Sequence, residues 1–395
     1  MEMKQTSQEG TEEFFSRMQR CTKCILPETF PGVDFDETGE CYYCRTNKPI
    51  SVLGETALEK ELSRYRNKDT DYDIIVPISG GRDSAYVLHQ MVTKYKMRVL
   101  ALTVDSGALL PEGYRNIQRT TEVLDVPHVW LKDEQQIKTA QENTKIKFQG
   151  WLKNPSIHTI VPVLNSSDKT MNVRMYRYAH KHHIPVVMGG NNVGNSTFEQ
   201  EHWKTGFLGV FPNERGMYTA SDRMKLSFLF GLEYLKNPSN FRFPIFKEYA
   251  KGASVYFFES ILKPNDVIAL GFYDYIYWNE QKIVSTITKE LDWKGGEDTT
   301  TTWRIDDSQY PLINYIYNKL VGFTEHDEMY SKMIREGQLS RKKALERCLS
   351  DHAPRMRYVK KTCEELGTTV KELDQVLENY RKKLLQTLPI GLKLT

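Results

Sequence analysis

Ser79, Asp83 and Ser84 place two hydroxyls and a carboxylate around a Gly-Gly pair, in the run Val76-Pro77-Ile78-Ser79-Gly80-Gly81-Arg82-Asp83-Ser84. That set suits anion chemistry. Gly80 and Gly81 permit backbone angles that a Cβ hinders, so successive N–H groups can converge on a phosphate. Ser79 and Ser84 add hydroxyl donors, and Asp83 adds a carboxylate able to hold Mg²⁺ bridged to phosphate. A turn of this kind needs a strand that ends at it and a helix that begins at it. Tyr72 to Ile78 is a short apolar run rich in β-branched residues, as expected of a strand buried on both faces of a parallel sheet. Ser84, Leu88, Met91, Val92 and Tyr95 then recur at helical spacing. The spacing is neither GxxxxGK[ST] nor GxGxxG.

A second group of chemistry-bearing residues lies near the N-terminus. Cys21-x-x-Cys24 and Cys41-x-x-Cys44 have the spacing of a four-thiolate zinc site. The segment between them holds Pro27, Pro31, Gly32 and Gly39, so it reads as a turn-rich ribbon with little core of its own, for which metal would supply folding energy. Four thiolates leave no open position, so such a zinc is structural. An iron-sulfur cluster or two disulfides are the alternatives that spacing leaves open.

The elements that must position these groups follow in order. Leu53, Leu58, Leu62 and Tyr65 suggest a helix that leads from the ribbon to the sheet. Arg98 to Val104 is a second apolar strand, ending in Asp105-Ser106-Gly107. Helix Pro111 to Leu124, strand Val126 to Leu131, helix Thr170 to His183 and strand Ile184 to Met188 continue the alternation, which predicts a right-handed parallel sheet. Gly189-Gly190-Asn191-Asn192 ends the last of these strands and is either a nucleotide contact or a plain turn. Residues 132–164 carry no clear motif. The aromatic runs Phe241 to Phe246 and Phe272 to Trp278 are read as core and interface packing, with sugar stacking on their faces as the alternative. Beyond Asp351 the chain is helical in pattern, and Cys348 and Cys363 are expected to be ordinary helix residues.

At 395 residues the chain exceeds one ordinary core. We divide it into a Cys₄ module (1–50), a nucleotide domain (51–235), a substrate-binding region (236–340) and a helical tail (341–395). Lys+Arg 54 against Asp+Glu 51 leaves a net charge of +3, too small to announce a nucleic-acid or membrane partner, although a local patch stays open. No apolar run approaches the roughly 20 residues of a membrane helix, and the opening MEMKQTSQEG lacks a signal-peptide core. A cytoplasmic protein is the expectation.

The Ser-Gly-Gly-x-Asp-Ser order after a buried strand resembles the PP-loop of the ATP pyrophosphatase superfamily. The resemblance implies a Rossmann-like α/β sheet of the adenine nucleotide alpha hydrolase type, with ATP and Mg²⁺ at the loop. Ser79, Gly80, Gly81, Arg82 and Ser84 then cradle pyrophosphate, and Asp83 holds Mg²⁺. Asp105 and Gly107, at the end of the second strand, and Gly190 and Asn191 become candidate nucleotide contacts, with a turn role as the alternative for each pair. Arg82 stands where a lysine is often found, so a cation is kept.

Farther on, Thr301-Thr302-Trp303-Arg304, Gly322-Phe323-Thr324-Glu325-His326-Asp327-Glu328 and Ile334 to Glu346 (IREGQLSRKKALE), taken with the knuckles and the loop, are similar to the N-acetyl sugar amidotransferase family of lipopolysaccharide and flagellar sugar biosynthesis. That resemblance implies adenylation of an acetamido oxygen, then replacement by ammonia, giving an acetamidino sugar, AMP and pyrophosphate. Trp303 and Arg304 are the candidate substrate contacts. The chain shows no initiator cysteine after Met1 and no Gly-x-Cys-x-Gly elbow, so a separate glutaminase partner is expected to supply the ammonia. A tRNA thiolase, or a nucleotide-binding protein without catalysis, is the rival reading.

Overall fold

The computed structural model describes residues 18–66, 70–165, 171–190, 201–213, 218–250 and 263–387. Among these residues five strands form one fully parallel sheet: β1 (Ile74–Pro77), β2 (Val99–Val104), β3 (His128–Leu131), β4 (Val186–Gly189) and β5 (Ile268–Gly271), in the order β3-β2-β1-β4-β5. Ile74, Ile75, Val76, Ala101, Leu102 and Val186 are buried, which is why β1, β2 and β4 read as continuous apolar runs instead of alternating ones. The chain builds outward from β1 to β3 on one side and from β4 to β5 on the other. The order therefore reverses between β1 and β4, and the crevice beyond their carboxyl ends is where an open α/β sheet binds ligands.

Helix α1 (Arg82–Thr93) follows β1 and is buried around most of its circumference, with Ala85, Tyr86, Val87, Leu88 and Met91 all in the core between the sheet and neighbouring helices. Helix α2 (Pro111–Leu124) opens with Pro at its first turn, where the missing N–H costs nothing. It ends at Asp125 in the left-handed conformation (φ 51°). Residues without a sequence motif form α3 (Glu134–Lys153), capped by Asp133, whose side chain accepts from the Gln136 N–H. Helix α4 (Met171–Lys181) leads into β4. The fifth strand comes from beyond residue 235, inside the stretch the sequence reading set aside for substrate binding, so the sheet draws on more of the chain than the βα alternation announced.

The C-terminal part is helical: α5 (Glu280–Leu291), α6 (Tyr310–Val321), α7 (Glu325–Arg335), α8 (Arg341–Asp351), α9 (Met356–Glu365) and α10 (Val370–Thr387). It does not stand apart. One core cluster joins α1 and the sheet to Phe272, Tyr273, Trp278 and the α7 residues Met329 and Tyr330. Another joins the cysteine ribbon, through Leu26, Phe30 and Val33, to Phe148, Tyr317, Val359 and Leu377. Phe272 to Trp278 thus pack as core, as the sequence suggests, whereas Phe241, Phe243 and Phe246 do not: all three are exposed. Among the described residues no helix is long and apolar enough to cross a membrane.

Candidate functional site

The Ser79–Ser84 turn sits at the reversal of strand order, between the end of β1 and the first turn of α1. Gly80 has φ +84°, and a Cβ built there would stand 2.3 Å from the Gly113 carbonyl oxygen on α2, so only glycine fits. The Gly80 carbonyl accepts from Asn116 Nδ2 (3.2 Å) and Trp293 Nε1 (3.0 Å) on one side of the loop. A trans peptide turns its N–H the other way, and the Gly81 N–H meets Ser79 Oγ at 3.3 Å. Ser84 Oγ stands 3.3 Å from both the Ser79 nitrogen and Ser79 Oγ, and donates to the Gly81 carbonyl at 3.2 Å. The two hydroxyls and the first amides of α1 are thereby gathered at a helix N-terminus, where an anion is favoured. Gly190 lies against the same turn: a Cβ there would be 3.7 Å from the Asp83 carbonyl oxygen and the Ser84 nitrogen. Asn191 lies outside the described residues.

Asp83 is half-buried and accepts from Trp278 Nε1 at 2.8 Å. A second carboxylate, Asp306, comes from the far end of the sequence. The Leu110 N–H donates to its carbonyl (2.7 Å), Ser308 donates to Ala108 (2.8 Å), and Leu109 and Asp307 form an antiparallel bridge, so this segment is strapped to the loop before α2. The Asp306 carboxylate lies over Gly81, where a Cβ would stand 3.2 Å from its Oδ2. Burial pushes both carboxyls above the ordinary aspartate value; a hydrogen bond from Ser79 and the charge of Arg304 moderate the rise at Asp306, and the charge of Arg82 does so at Asp83. Two half-buried carboxylates beside a phosphate-type cradle are a fitting donor set for Mg²⁺. Asp306 stands two residues beyond the Thr301–Arg304 stretch and carried no signal of its own, because spacing cannot show which residue folds back to the loop.

Arg82 takes a different part from the one its position in the motif suggests. Its side chain is 2% exposed. Nη1 donates to Glu280 Oε1 at 2.5 Å and to Thr302 Oγ1, and the guanidinium lies 5.0 Å from the Trp278 ring and 4.8 Å from the Trp303 ring. It is a buried anchor, not a cradle cation. Trp303 is likewise buried, with its Nε1 donating to Glu325 Oε2 at 3.2 Å, and it lines a small cavity with Arg304 and Tyr310. Arg304 is the part of that pair the fold leaves at the site. It is half-buried, carries φ +46°, stacks 3.8 Å over the Tyr310 ring and pairs with Glu325 (3.0 Å) and Glu201 (3.7 Å). Lys204, missed from sequence, approaches the same ring and bonds the Tyr310 hydroxyl at 3.3 Å.

Asp105 ends β2 as expected, but both its oxygens are engaged: Oδ1 accepts from the Gly107 N–H (2.8 Å) and Oδ2 from the Tyr114 hydroxyl (3.0 Å). That is the turn role left open by the sequence. It positions Tyr114, whose ring stacks on Trp130 at 5.3 Å, both partly exposed beside the ends of β2 and β3. The four knuckle cysteines converge. Their Sγ atoms all lie within 4.8 Å of one another, with Cys21–Cys44 at 3.8 Å and Cys24–Cys41 at 3.6 Å, and none forms a disulfide. Thiolates at about 2.3 Å from one tetrahedral ion stand about 3.8 Å apart. Arg341 Nε and Nη2 hold the Cys21 carbonyl (3.1 and 2.9 Å), and Nε also holds that of Cys24 (2.9 Å), tying the ribbon to α8.

The segment that delivers Asp306 also decides the likeness to known proteins. Residues 297–386 match the family model of the LPS biosynthesis protein WbpG-like, C-terminal domain. This bears out the lipopolysaccharide resemblance read from the TTWR, GFTEHDE and IREGQLSRKKALE stretches, which all fall inside the WbpG-like segment. A probable sulfurtransferase of Methanocaldococcus jannaschii is 38% identical over 71 residues, 15% of this chain and 21% of that protein, so the chain spans about a fifth of the curated relative's length. Among solved structures, an NMN synthetase from Francisella tularensis has a TM-score of 0.33 at 14% identity, over 80% of this chain and 97% of its own. An NH3-dependent NAD synthetase from Campylobacter jejuni has 0.26 at 15%, over 51% and 95%. The U34-tRNA thiolase NcsA from Methanococcus maripaludis, with its [4Fe-4S] cluster, has 0.30 at 14%, over 83% and 88%.

Proposed function

We propose that this chain is an ATP-dependent enzyme that adenylates the acetamido oxygen of an N-acetyl sugar and lets ammonia displace AMP, giving an acetamidino sugar, AMP and pyrophosphate. One observation carries the reading: the WbpG-like segment, whose family serves lipopolysaccharide biosynthesis, supplies Asp306 at the phosphate-type loop and Arg304 in the same stretch. In this reading Ser79, Gly80, Gly81 and Ser84 hold the pyrophosphate moiety by N–H and hydroxyl donors. Asp83 and Asp306 hold Mg²⁺, which neutralises charge on the leaving pyrophosphate. Tyr114 and Trp130 offer a flat surface for the adenine, and Arg304 and Lys204 face the bound sugar or the phosphate between them. The Cys₄ ribbon takes one structural zinc, because its sulfur spacing suits a single ion better than a wider iron-sulfur cube. Ammonia comes from a separate glutaminase.

Pyrophosphate release from ATP with a panel of free or nucleotide-linked acetamido sugars and ammonium, read with mass spectrometry of the product, tests this. The expected result is sugar-dependent pyrophosphate and a product in which one oxygen is replaced by NH. Glutamate release from glutamine by the chain alone, at the rate of turnover, would remove the glutaminase partner. The match to a probable sulfurtransferase favours one other reading, sulfur transfer. Against it, Cys348 and Cys363 are buried on helices α8 and α9, and burial raises both thiols above the ordinary cysteine value. Thiolated tRNA without sugar-dependent pyrophosphate would replace our reading.

A further inference from the structure

The helix Ala220–Leu235 is apolar on two opposite sides. Leu226 is buried, while Met224, Phe228, Leu232 and Leu235 are exposed, between 43 and 68%. The spacing i, i+4, i+8 and i+11 places these four within an arc of about 80°, facing away from Leu226. A short 3₁₀ turn (Pro238–Phe241) then leads to helical residues 243–250, and Phe241, Phe243 and Phe246 are 61 to 75% exposed while Ile245 is fully buried. Tyr234 ties the two stretches together, its carbonyl accepting from Asn240 Nδ2 at 2.9 Å and its ring lying 4.3 Å from Tyr249. Together these seven side chains expose on the order of 800 Å² of apolar surface, on two stretches joined through Tyr234.

The exposed charges carried by these two stretches have one sign. Among residues 218–250 every exposed charged side chain is basic: Arg223, Lys225, Lys236, Arg242 and Lys247. The acids there are turned to internal work. Asp222 closes a capping box with Thr219, Glu248 accepts from Lys147 and Asn143, and Glu233 accepts from Ser156 and pairs with Lys236 at 2.5 Å, which leaves Arg223, Lys225, Arg242 and Lys247 as the rim. A second copy of this chain would bring basic rim against basic rim, which disfavours a self-pair. An apolar helix face with phenylalanines and a Lys/Arg rim is instead complementary to an anionic bilayer surface, where the rings enter the acyl boundary and the cations stay at the headgroups.

We propose that the face built by Met224, Phe228, Leu235, Phe243 and Phe246 seats the protein peripherally on a membrane rich in anionic phospholipid. No spanning helix is required. The full chain should co-sediment with vesicles of phosphatidylcholine and phosphatidylglycerol, and far less with phosphatidylcholine alone, since each basic residue at an anionic surface contributes about fivefold. The double substitution Phe228→Glu/Phe243→Glu should lower vesicle binding at least about tenfold, with an unchanged circular dichroism spectrum. Arg242→Glu/Lys247→Glu should remove the preference for the anionic vesicles. Equal sedimentation of wild type and the phenylalanine variant, or none of the wild type with either vesicle, overturns the proposal. So does a dimer in sedimentation equilibrium that Phe228→Glu splits, which would give the face to a second copy.

Discussion

Arg82 Nη1 lies 2.5 Å from Glu280 Oε1, and Arg347 grips the same carboxylate from the other side, at 2.6 Å to Oε2 and 2.9 Å to Oε1. The pair links the residue between Gly81 and Asp83 to helix α5 and, through Arg347, to α8. Burial alone would push the Glu280 carboxyl up, but the Arg347 hydrogen bonds and the Arg82 charge outweigh it and hold it at about 2. A group depressed in the folded state stabilises fully above its ordinary value of 4.5 and loses that contribution as pH falls toward about 2. Glu280→Gln leaves two guanidinium groups without their counter-charge and should cost about 3–5 kcal/mol in urea unfolding at neutral pH. Its unfolding curve should also lack this part of the wild type's acid dependence. An unchanged urea midpoint for the variant would show that the triad is not what anchors the loop.

Asp306→Asn should weaken Mn²⁺ binding about 10- to 100-fold, measured by electron paramagnetic resonance with a non-hydrolysable ATP analogue, while the chain stays folded. Asp83→Ala should do the same and abolish ATP cleavage. If Asp306→Asn binds Mn²⁺ like wild type, the second carboxylate belongs to the loop's packing and not to its metal.

Gly80→Ala is expected to fail at the loop itself. The left-handed angle costs roughly 1–3 kcal/mol for a residue with a Cβ, and the added carbon would meet the Gly113 carbonyl at 2.3 Å. Fluorescent-nucleotide titration should show lost binding; retained affinity would mean that α2 gives way more easily than the packing suggests.

Cys21→Ser should lower bound metal below one ion per chain, read by elemental analysis, and lower the thermal midpoint. Wild type should contain zinc and show no visible charge-transfer absorption. Arg341→Ala should keep the metal but loosen the ribbon, seen as faster amide exchange around Cys21 and Cys24. A brown protein with iron and sulfide would assign the knuckles to a cluster.

Local pattern was enough to find the strand, turn and helix around Ser79–Ser84, because β-branched runs and helical spacing are short-range signals. The same holds for Pro111–Leu124, whose helix begins and ends where its proline and apolar stripe indicate. What pattern could not show was direction. Arg82 sits in the motif yet points into a buried cage, since the nearest carboxylate, Glu280, is remote in sequence. Trp303, a candidate substrate contact by resemblance, is largely buried, with its Nε1 donating to Glu325. Phe241, Phe243 and Phe246 looked like core and are surface, because a run of aromatics does not say which element, if any, covers it. Asp306 reached the site only through tertiary contacts with Leu109 and Leu110.

The strap between Asp306 and the loop beyond β2 also sets an order of events during synthesis. Ser79 to Ser84 leave the ribosome early, whereas the carboxylate that lies over Gly81 emerges only when most of the chain has been made. A nascent or truncated chain thus has the Ser79–Ser84 turn without the acid that lies over Gly81, and without Arg304.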